Sequence, residues 1–505
     1  MSDMARIILQ PSGKVIEVGK GTPLQDVLFA HGVEFPCGGK GRCKGCRVRV
    51  LDGDIPITPE MQRLLGDEEL RSGWRLSCQA AVTDNLTLEL AQWEVSILSD
   101  NRRFAFQPRE GLGIAVDLGT TTLVAQLLDM QTANVLAVSS SLNAQARYGA
   151  DIMSRVEYAV AGGGQKVLTQ TVRSQIGDMI KELLNNSGCN PSKVRRVILV
   201  GNTVMHHLFC GIDLEPLAHH PFTPADADLK KMSPEKLGWP ILNDKTEVWF
   251  LPCLGGFVGS DILAGIMATG MSESDELSLL VDLGTNGEIV LGNRQRMLCA
   301  STAAGPAFEG ARISCGMRAA TGAISAVTIR DGRLVCSVIG RGSPKGICGS
   351  GLVDAVAAGL EIGAVKPSGR LAQGMRFPLE GDIALGQCDI RELQLAKGAT
   401  AAGMRLLLKH WGATYDDVQR VFLAGAFGNY INRSSARRIG LLNFPMERIL
   451  PSGNTALLGA KLALFNLDDS NADCRHLRSK IQHVSLNEDA EFQEVYGEEM
   501  LFPAE

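Results

Sequence analysis

Aromatic residues make up only 5% of this 505-residue chain, and several signals of common protein classes are missing altogether. No window of about 18 residues runs without a charge or a turn, so no membrane-spanning helix is expected. The opening MSDMARIILQ lacks a basic stretch followed by an apolar core, so no signal peptide is expected. Net charge is −5 and the Lys and Arg residues are scattered, which leaves no electrostatic footprint for nucleic acid. Neither G-x-x-x-x-G-K-[ST] nor a G-x-G-x-x-G entering a helix occurs, which excludes P-loop and Rossmann nucleotide sites. The 13 cysteines are odd in number and mostly without paired spacing, which argues against a disulfide framework and for a reducing compartment, hence the cytoplasm. The 56 glycines are not accompanied by raised Pro or Ser, so they read as tight turns and close backbone approaches rather than disorder. The length suits about three domains.

The exception among the cysteines lies near the start. RIILQPSGKVIEVGKGTPLQDVLFAHGV predicts two short strands, a turn at Pro11–Gly13 and a helix beginning near Thr22–Pro23. FPCGGKGRCKGCRVRVLDG follows, placing Cys37, Cys43 and Cys46 in a C-x5-C-x2-C array, with Cys78 further on in RLSCQA. Thiolates on iron need backbone N–H groups aimed at sulfur, and a glycine-rich loop can curl tightly enough to supply them. This set points to a [2Fe–2S] cluster on Cys37, Cys43, Cys46 and Cys78. A structural zinc site, which usually shows two C-x2-C knuckles, and buried thiols are the alternatives. The segment resembles ferredoxins with a longer first gap, such as the adrenodoxin-like domains. The plant-type spacing is one residue shorter, C-x4-C-x2-C.

The pentapeptide VDLGT occurs twice, in GIAVDLGTTTLVAQLLD (113–129) and LLVDLGTNGEIVLGN (279–293). Each copy is followed later by an apolar strand entering a glycine and a helix: RRVILVGNTVMHHLF (195–209) and QRVFLAGAFGNYIN (419–432). An internal duplication with two lobes facing across a cleft is the economical reading. The turns Gly119-Thr120-Thr121-Thr122 and Gly284-Thr285-Asn286-Gly287 would offer N–H groups and hydroxyls to phosphate oxygens. Asp117 and Asp282 would repel those phosphates unless a cation stood between, and Mg²⁺ bridges carboxylates and phosphates while keeping its waters. The two hairpins therefore read as a clamp for Mg-nucleotide phosphates, with Gly425 and Gly428 of LAGAFGN leaving room for a base or ribose. Asp261, in LGGFVGSDILAGIM, would orient an attacking water or else cap the helix after it. Glu309 is a candidate nucleotide contact, with a structural turn as its alternative. KGICGSGLVDAVAAGLEIG (345–363) reads as a glycine turn entering a lobe-connecting helix, with Gly349 and Gly351 as further phosphate candidates. His206, His207 and Cys210 fall within one helical turn, but with no further ligand pair nearby they read as helix packing.

The order of these segments resembles the phosphate-1, connecting, phosphate-2 and adenosine segments of the actin-like ATPase superfamily, which includes sugar kinases, Hsp70 and acetate kinase. More specifically, DLGTNGEIVLGN, CSTAAGPAFEGARISCGM, GICGSGLVDAV, PSGR (367–370), LAGAFGNYIN and ARYGADIMSRVEYA (146–159) are similar to the reductive activators of corrinoid-dependent methyltransferases. The resemblance implies an α/β multidomain protein. Its parts would be a β-grasp [2Fe–2S] ferredoxin domain (α+β, residues 1–95), a linker (96–112), and a two-lobed actin-like, Hsp70-like ATPase with duplicated RNase H-like cores. The lobes would span 113–275 and 276–505, the second carrying a C-terminal tail. It also implies the activity: ATP-driven transfer of an electron to the Co(II) corrinoid of a partner protein, restoring Co(I). The partners implied are a corrinoid protein or methyltransferase and a reductase or ferredoxin as donor, with no nucleic acid and no membrane; a homodimer is left open. Larger members of that family carry a further domain before the ATPase part, where this chain has a short linker. Three other readings stay open: a small-molecule kinase, a redox-sensing ATP-binding regulator, and an activator of a radical or dehydratase enzyme.

Overall fold

β-Branched and aliphatic residues alternate along Met4–Gln10 (β1), and Ile7 and Leu9 are buried against Leu24 and Leu28 of helix α1 (Leu24–Phe29). The computed structural model describes every residue except 1–3, 11–12, 30–45, 91–105, 150, 285, 311, 318, 320–321, 340–342 and 505. Cys37, Cys43, Thr285 and most of the expected linker therefore lie outside the described residues. β1 pairs antiparallel with β2 (Lys14–Gly19) and parallel with β5 (Leu86–Leu90), while β3 (Arg47–Asp52) lies between β5 and β4 (Trp74–Leu76). The result is a five-stranded mixed sheet of order β2-β1-β5-β3-β4 with a helix packed on it, the β-grasp arrangement expected.

The larger part is built on two six-stranded sheets that share a five-stranded core topology and differ in where the sixth strand is added. In the first, β6 (Leu112–Leu118), β7 (Thr122–Asp129) and β8 (Val135–Leu142) form an antiparallel meander. Helices α2 (Ile152–Val160) and α3 (Gln165–Ser187) follow, then β9 (Val194–Val200) parallel to β6, α4 (Thr203–Cys210), β10 (Lys230–Met232), β11 (Glu247–Phe250) parallel to β9, and α5 (Ser260–Thr269). The second begins with the same meander, β12 (Ser278–Leu283), β13 (Gly287–Gly292) and β14 (Met297–Thr302). After α6 (Gly349–Glu361) and α7 (Gln387–Trp411) come β15 (Arg420–Ala424), parallel to β12, and α8 (Gly425–Tyr430). Strand β16 (Ile449–Gly453) is parallel to β15, α9 spans Thr455–Asn466, and β17 (Ile481–His483) closes the edge beside β14. The duplication read from the two VDLGT copies is thus a duplication of sheet topology.

Strand alternation decides where the acidic residues point. On β6, Leu112, Ile114, Val116 and Leu118 face the core shared with α3, while Ala115 faces the opposite way, onto α9. Asp117 follows Ala115 by two residues and shares its face. On β12, Leu279, Val281 and Leu283 enter the second lobe's core and Leu280 packs with α5, so Asp282 also faces the layer between the sheets.

That layer consists of α5 and α9. Helix α5 precedes the second sheet in sequence and packs on both, Leu263 and Ala264 on the first and Ile262 and Ile266 on the second; α9 is written within the second half yet packs Ala460, Ala463 and Leu464 on the first. Small residues permit the contact between them. A Cβ on Gly459 would sit 2.1 Å from the Ala264 carbonyl oxygen, and one on Gly113 3.0 Å from Leu464. The helix expected to connect the lobes, α6, does not do so: it is buried inside the second lobe, where Leu352, Val353 and Val356 pack with Ile324 and Ile347. Gly349 and Gly351 let α6 pack closely, since a Cβ on them would meet the carbonyls of Phe308 (1.8 Å) and Ile324 (2.1 Å).

Gly459→Ala should overpack the α5–α9 contact and destabilise the ATPase part by about 1–3 kcal/mol. Scanning calorimetry should record that loss with the visible spectrum of the N-terminal domain unchanged.

Candidate functional site

Each phosphate-type turn is held from behind. In the first, Asn143 Nδ2 donates to the Gly119 carbonyl (3.0 Å) and the Asn143 N–H to the Thr121 carbonyl (2.9 Å). Arg155 Nη2 donates to the Thr120 carbonyl (2.7 Å), and Asn202 Nδ2 to the Thr120 hydroxyl (2.9 Å). These bonds pin the turn's carbonyls against the lobe, which makes the hairpin a cradle of N–H groups toward the cleft. Arg155 is fully buried. Burial lowers its guanidinium to about 10, still a cation at neutral pH, so a fixed positive charge lies beneath the turn. The same Asn202 caps α4, its Oδ1 accepting from the Met205 N–H (3.0 Å).

The acidic residues gather where the two sheets meet. Asp117 accepts a 2.7 Å hydrogen bond from Asn454 Nδ2, at the start of α9. Asp282 lies against Gly425, whose positive φ of 81° favours glycine; a Cβ there would stand 2.6 Å from Asp282 Oδ1. Asp261 sits in the first turn of α5, its Oδ1 accepting from the Ile262 N–H (2.8 Å), and the turn hangs from the Gly201 carbonyl through Ser260. Asp261 is not the cap expected as its alternative role: Gly259 is the N-cap and carries no side chain, while Asp261 is the second residue of the helix and faces the other carboxylates. Glu288 is the fourth member, directly opposite Asp282 across the β12–β13 ladder, on the same face and 8% exposed.

Crowding shows in the proton affinities. Burial, offset by the Asn454 amide, pushes Asp117 up to about 6. Burial and the Asp117 charge push Asp282 up to about 7. Asp261 is raised by burial and by Asp282 and Asp117, and Glu288 is raised well above its ordinary range by burial, Asp261 and Asp282. Asp117, Asp261 and Asp282 keep a partly accessible edge while protein surrounds the rest of each side chain. Such a donor set suits a hard divalent cation. Among the described residues no three His, Cys, Asp or Glu side chains are close enough to hold a metal by themselves, which accords with a cation that keeps waters and shares phosphate oxygens.

The lobes meet directly over this floor, the Thr121 hydroxyl donating to Glu309 Oε2 at 3.4 Å. Thr122 opens β7 at the exposed lip, while Gly284 and Asn286 stay partly exposed on the second turn. The Gly284 N–H bonds the Asn286 carbonyl (3.1 Å), and the Asn286 side chain bonds Glu288. Gly287 serves packing instead: a Cβ there would meet the hydroxyls of Thr302 (2.8 Å) and Thr400 (2.9 Å). Gly428 lies buried on Leu423, beside Phe427, whose ring stacks on Phe308 at 4.7 Å. Sequence reading missed Glu288, Asn454, Arg155, Asn143 and Asn202. Only Glu288 had a local signal, as a charged residue beside the second turn at the mouth of an otherwise apolar strand.

His206 and His207 belong to the core of α4: His206 meets the Phe250 ring edge-on at 4.9 Å, and His207 Nδ1 lies 2.9 Å from the Thr203 carbonyl. In the N-terminal domain, buried Cys46 and half-buried Cys78 are tied together by Ser77, whose N–H (3.1 Å) and hydroxyl (2.7 Å) both donate to the Cys46 carbonyl. Gln79 Nε2 lies 3.5 Å from Cys78 Sγ, a donor placed as a metal-bound thiolate requires.

Comparison with known proteins fits this architecture. A family model described as a 2Fe-2S iron–sulfur cluster binding domain matches residues 7–83. The RACo middle region matches 112–274, and the C-terminal domain of RACo, the ASKHA domain, matches 276–505. Corrinoid activation enzyme RamQ of Eubacterium limosum is 34% identical over 98% of this chain and 99% of its own length. The chain belongs to the corrinoid activation enzyme family. The [Co(II) methylated amine-specific corrinoid protein] reductase of Methanosarcina barkeri is 29% identical over 71% of each chain. The solved structure of a reductive activator for corrinoid, iron-sulfur protein is 27% identical, with a TM-score of 0.70 over 99% of this chain and 98% of that one. Like the family, this chain joins a [2Fe–2S] domain to an actin-like ATPase, and the expected fold class is borne out. No helix among the described residues is long and apolar enough to cross a membrane.

Because the folded state raises these carboxylates, it holds their protons more tightly than the unfolded chain. The stability they contribute is complete below about pH 4 and is lost as pH rises through about 6 for Asp117 and about 7 for Asp282. Without Mg²⁺, the melting temperature of the ATPase part should fall between about pH 5 and pH 8. Asp282→Asn should flatten that fall and reduce the stabilisation by added Mg²⁺ and nucleotide, both read by calorimetry.

Proposed function

We propose that this chain is an ATP-dependent reductive activator that returns the Co(II) corrinoid of a partner protein or methyltransferase to Co(I). The observation that carries the reading is the single cluster of Asp117, Asp261, Asp282 and Glu288 where two duplicated phosphate hairpins meet, in a chain that also carries a [2Fe–2S] domain. We divide the chain into the ferredoxin domain (1–95), a linker (96–112) and lobes at 113–275 and 276–505.

In this reading Cys37, Cys43, Cys46 and Cys78 hold the cluster, which supplies one-electron transfer when bound. Ser77 and Gln79 orient the second pair of thiolates. In the ATPase part, Asp117, Asp282 and Glu288 hold Mg²⁺, directly or through its waters. The turns at Gly119–Thr122 and at 284–287 receive the phosphates, with Arg155 supplying positive charge from beneath. Asp261, with its raised proton affinity, stands where a side chain can take a proton from the attacking water. Glu309 closes on the first turn through Thr121, and Gly425 lets the backbone pass close beside Asp282, with Gly428 packed behind it on Leu423. When water cleaves the terminal phosphate and the phosphate departs, the two turns would lose the anion they share, and the carboxylates would hold Mg²⁺ with fewer partners, so the closed arrangement would lose its support and the lobes would separate.

That cycle can drive an uphill electron transfer. Ferredoxin-type clusters sit near about −400 mV, and the Co(II)/Co(I) couple lies lower in this reading. A gap of about 100 mV for one electron is roughly 2.3 kcal/mol, within the range that site-to-site coupling supplies. Lobe closure that favours a complex with the lower cobalt ligand displaced would supply it. The electron enters from a reductase or a ferredoxin, and the cytoplasm suits so reducing a reaction; a homodimer is compatible with the arrangement.

Two variants test this. Asp117→Asn with Asp282→Asn should cut ATP-dependent Co(I) formation by at least about 100-fold, followed anaerobically by the visible spectrum, while the cluster's own spectrum stays intact; undiminished Co(I) formation would refute the reading. Cys78→Ser should do the reverse, abolishing Co(I) formation while ATP hydrolysis persists.

A further inference from the structure

After α9, the chain runs as a strap from one lobe to the other. The Leu467 carbonyl accepts from Arg109 Nη1 (2.8 Å) and Arg196 Nη1 (2.7 Å), Asp469 pairs with Lys231, and Arg478 pairs with Asp228 (3.0 Å), all on the first lobe. The strap then joins the second sheet as β17: the Met297 N–H donates to the Lys480 carbonyl and the Val484 N–H to that of Cys299, both at 2.8 Å. Between strap and first lobe lies a cavity of about 530 Å³. Phe222, Gly255 and Gly256 line it on the lobe side; Arg475, Arg478 and His483 line it on the strap side. A smaller cavity beside it reaches Ser301, which stands directly opposite Glu288 across the β13–β14 ladder.

The cavity is joined to the phosphate site by a short run of bonds. The Gly255 carbonyl accepts from the Thr203 hydroxyl (2.7 Å), and Thr203 follows Asn202, which holds Thr120. Five residues beyond Gly256 the same loop delivers Asp261. Gly255 also lies flat under the His483 ring, where a Cβ would come within 2.4 Å of it, so lobe and strap touch through a glycine and an imidazole.

The lining specifies its ligand. Two guanidiniums present planar donor forks suited to phosphate or carboxylate. Each pairs with one carboxylate and keeps further donors: Arg478 is mostly enclosed and pairs with Asp228, whereas Arg475 is exposed at the rim and pairs with Asp473. Pro221, Phe222, Pro224 and Ile481 add an apolar wall for a compact organic body, and the volume falls in the small-molecule range.

We propose that this cavity is an effector site for a small phosphate- or carboxylate-bearing metabolite, which bridges the first lobe and the strap and thereby sets the rate of the ATPase cycle. Binding stands independently of the corrinoid reading; the rate effect rests on the ATPase reading above. The test uses the full-length protein with its cluster, saturated with Mg-ADP so that the nucleotide site is filled, and titrated calorimetrically with phosphoenolpyruvate and with citrate. At least one should bind with 1:1 stoichiometry and a Kd below about 1 mM. Arg475→Ala with Arg478→Ala should weaken that binding at least tenfold while leaving anion-free ATP hydrolysis within about twofold of the parent. The bound anion should change the parent's hydrolysis rate at least twofold and the variant's not at all. If the double variant does not fold, Arg475→Gln alone carries the comparison. Failure of both anions to saturate, equal binding by the variant, or binding with an unaltered rate each overturns the proposal. Failure of Mg-ADP to bind would instead count against the nucleotide site, since the anion titration is read separately.

Discussion

Four carboxylates share one small volume between two sheets, and no pairing within the cluster relieves them. Asp117 accepts from the Asn454 amide, Asp261 from the Ile262 N–H and Glu288 from the Asn286 side chain, while Asp282 lies against Gly425; none has a cationic side chain beside it among the described residues. A buried carboxylate cluster of this kind is unfavourable in isolation, because each ionised member raises the cost of ionising the next. It persists because strand alternation leaves little choice. Once Leu112, Ile114, Val116 and Leu118 are buried on one face, residue 117 must point to the other, and the same holds for 282. The fold thus builds an electrostatic deficit shared between lobes, and under the proposed reading a divalent cation with nucleotide phosphates would fill it and so couple binding to lobe closure.

How much of this was legible depended on how far apart the partners lie in sequence. The doubled VDLGT could be read because each hairpin closes within a few residues, and the [2Fe–2S] domain because its cysteine spacing and strand pattern are local. Asn454 could not be tied to Asp117, since 337 residues separate them and an Asn at a helix start has an ordinary explanation as its cap. Arg155, Asn143 and Asn202 were invisible for the same reason: each acts on a turn that only tertiary packing brings near. Glu288 was different. It sat inside the motif already recognised, yet reading attention stopped at the turn and not at the strand beyond, where the cross-strand register puts it opposite Asp282.

The misreading of α6 has a physical source. An apolar helix preceded by glycines carries the same pattern whether it spans two lobes or is enclosed by one; periodicity reports burial, not the partner. Glycines there suit any close approach, and in the fold Gly349 and Gly351 approach the carbonyls of Phe308 and Ile324. The real connection is made by α5, which packs on both sheets, and by α9, which is written in the second half and packs on the first. Such an exchange leaves no local trace, because each helix looks like a member of the half in which it is written.

That exchange explains how a chemical event at the cluster can become movement. Asp261 rides on α5, which packs on the second sheet, and Asn454 starts α9, which packs on the first. A change of charge at Asp117, Asp261 or Asp282 therefore acts at the ends of both crossing helices together. Their contact is nearly incompressible, with Gly459 against the Ala264 backbone. A pair packed so closely transmits displacement as a unit and does not absorb it, so separation of the two phosphate turns must be accommodated outside the pair. The segments free to do so are those that leave α5 and α9, the passage into β12 and the strap into β17. A two-lobed ATPase on this plan can thus present one surface with nucleotide bound and another without it, which is what an electron-delivery domain tethered to its first strand needs in order to reach its acceptor in only one part of the cycle.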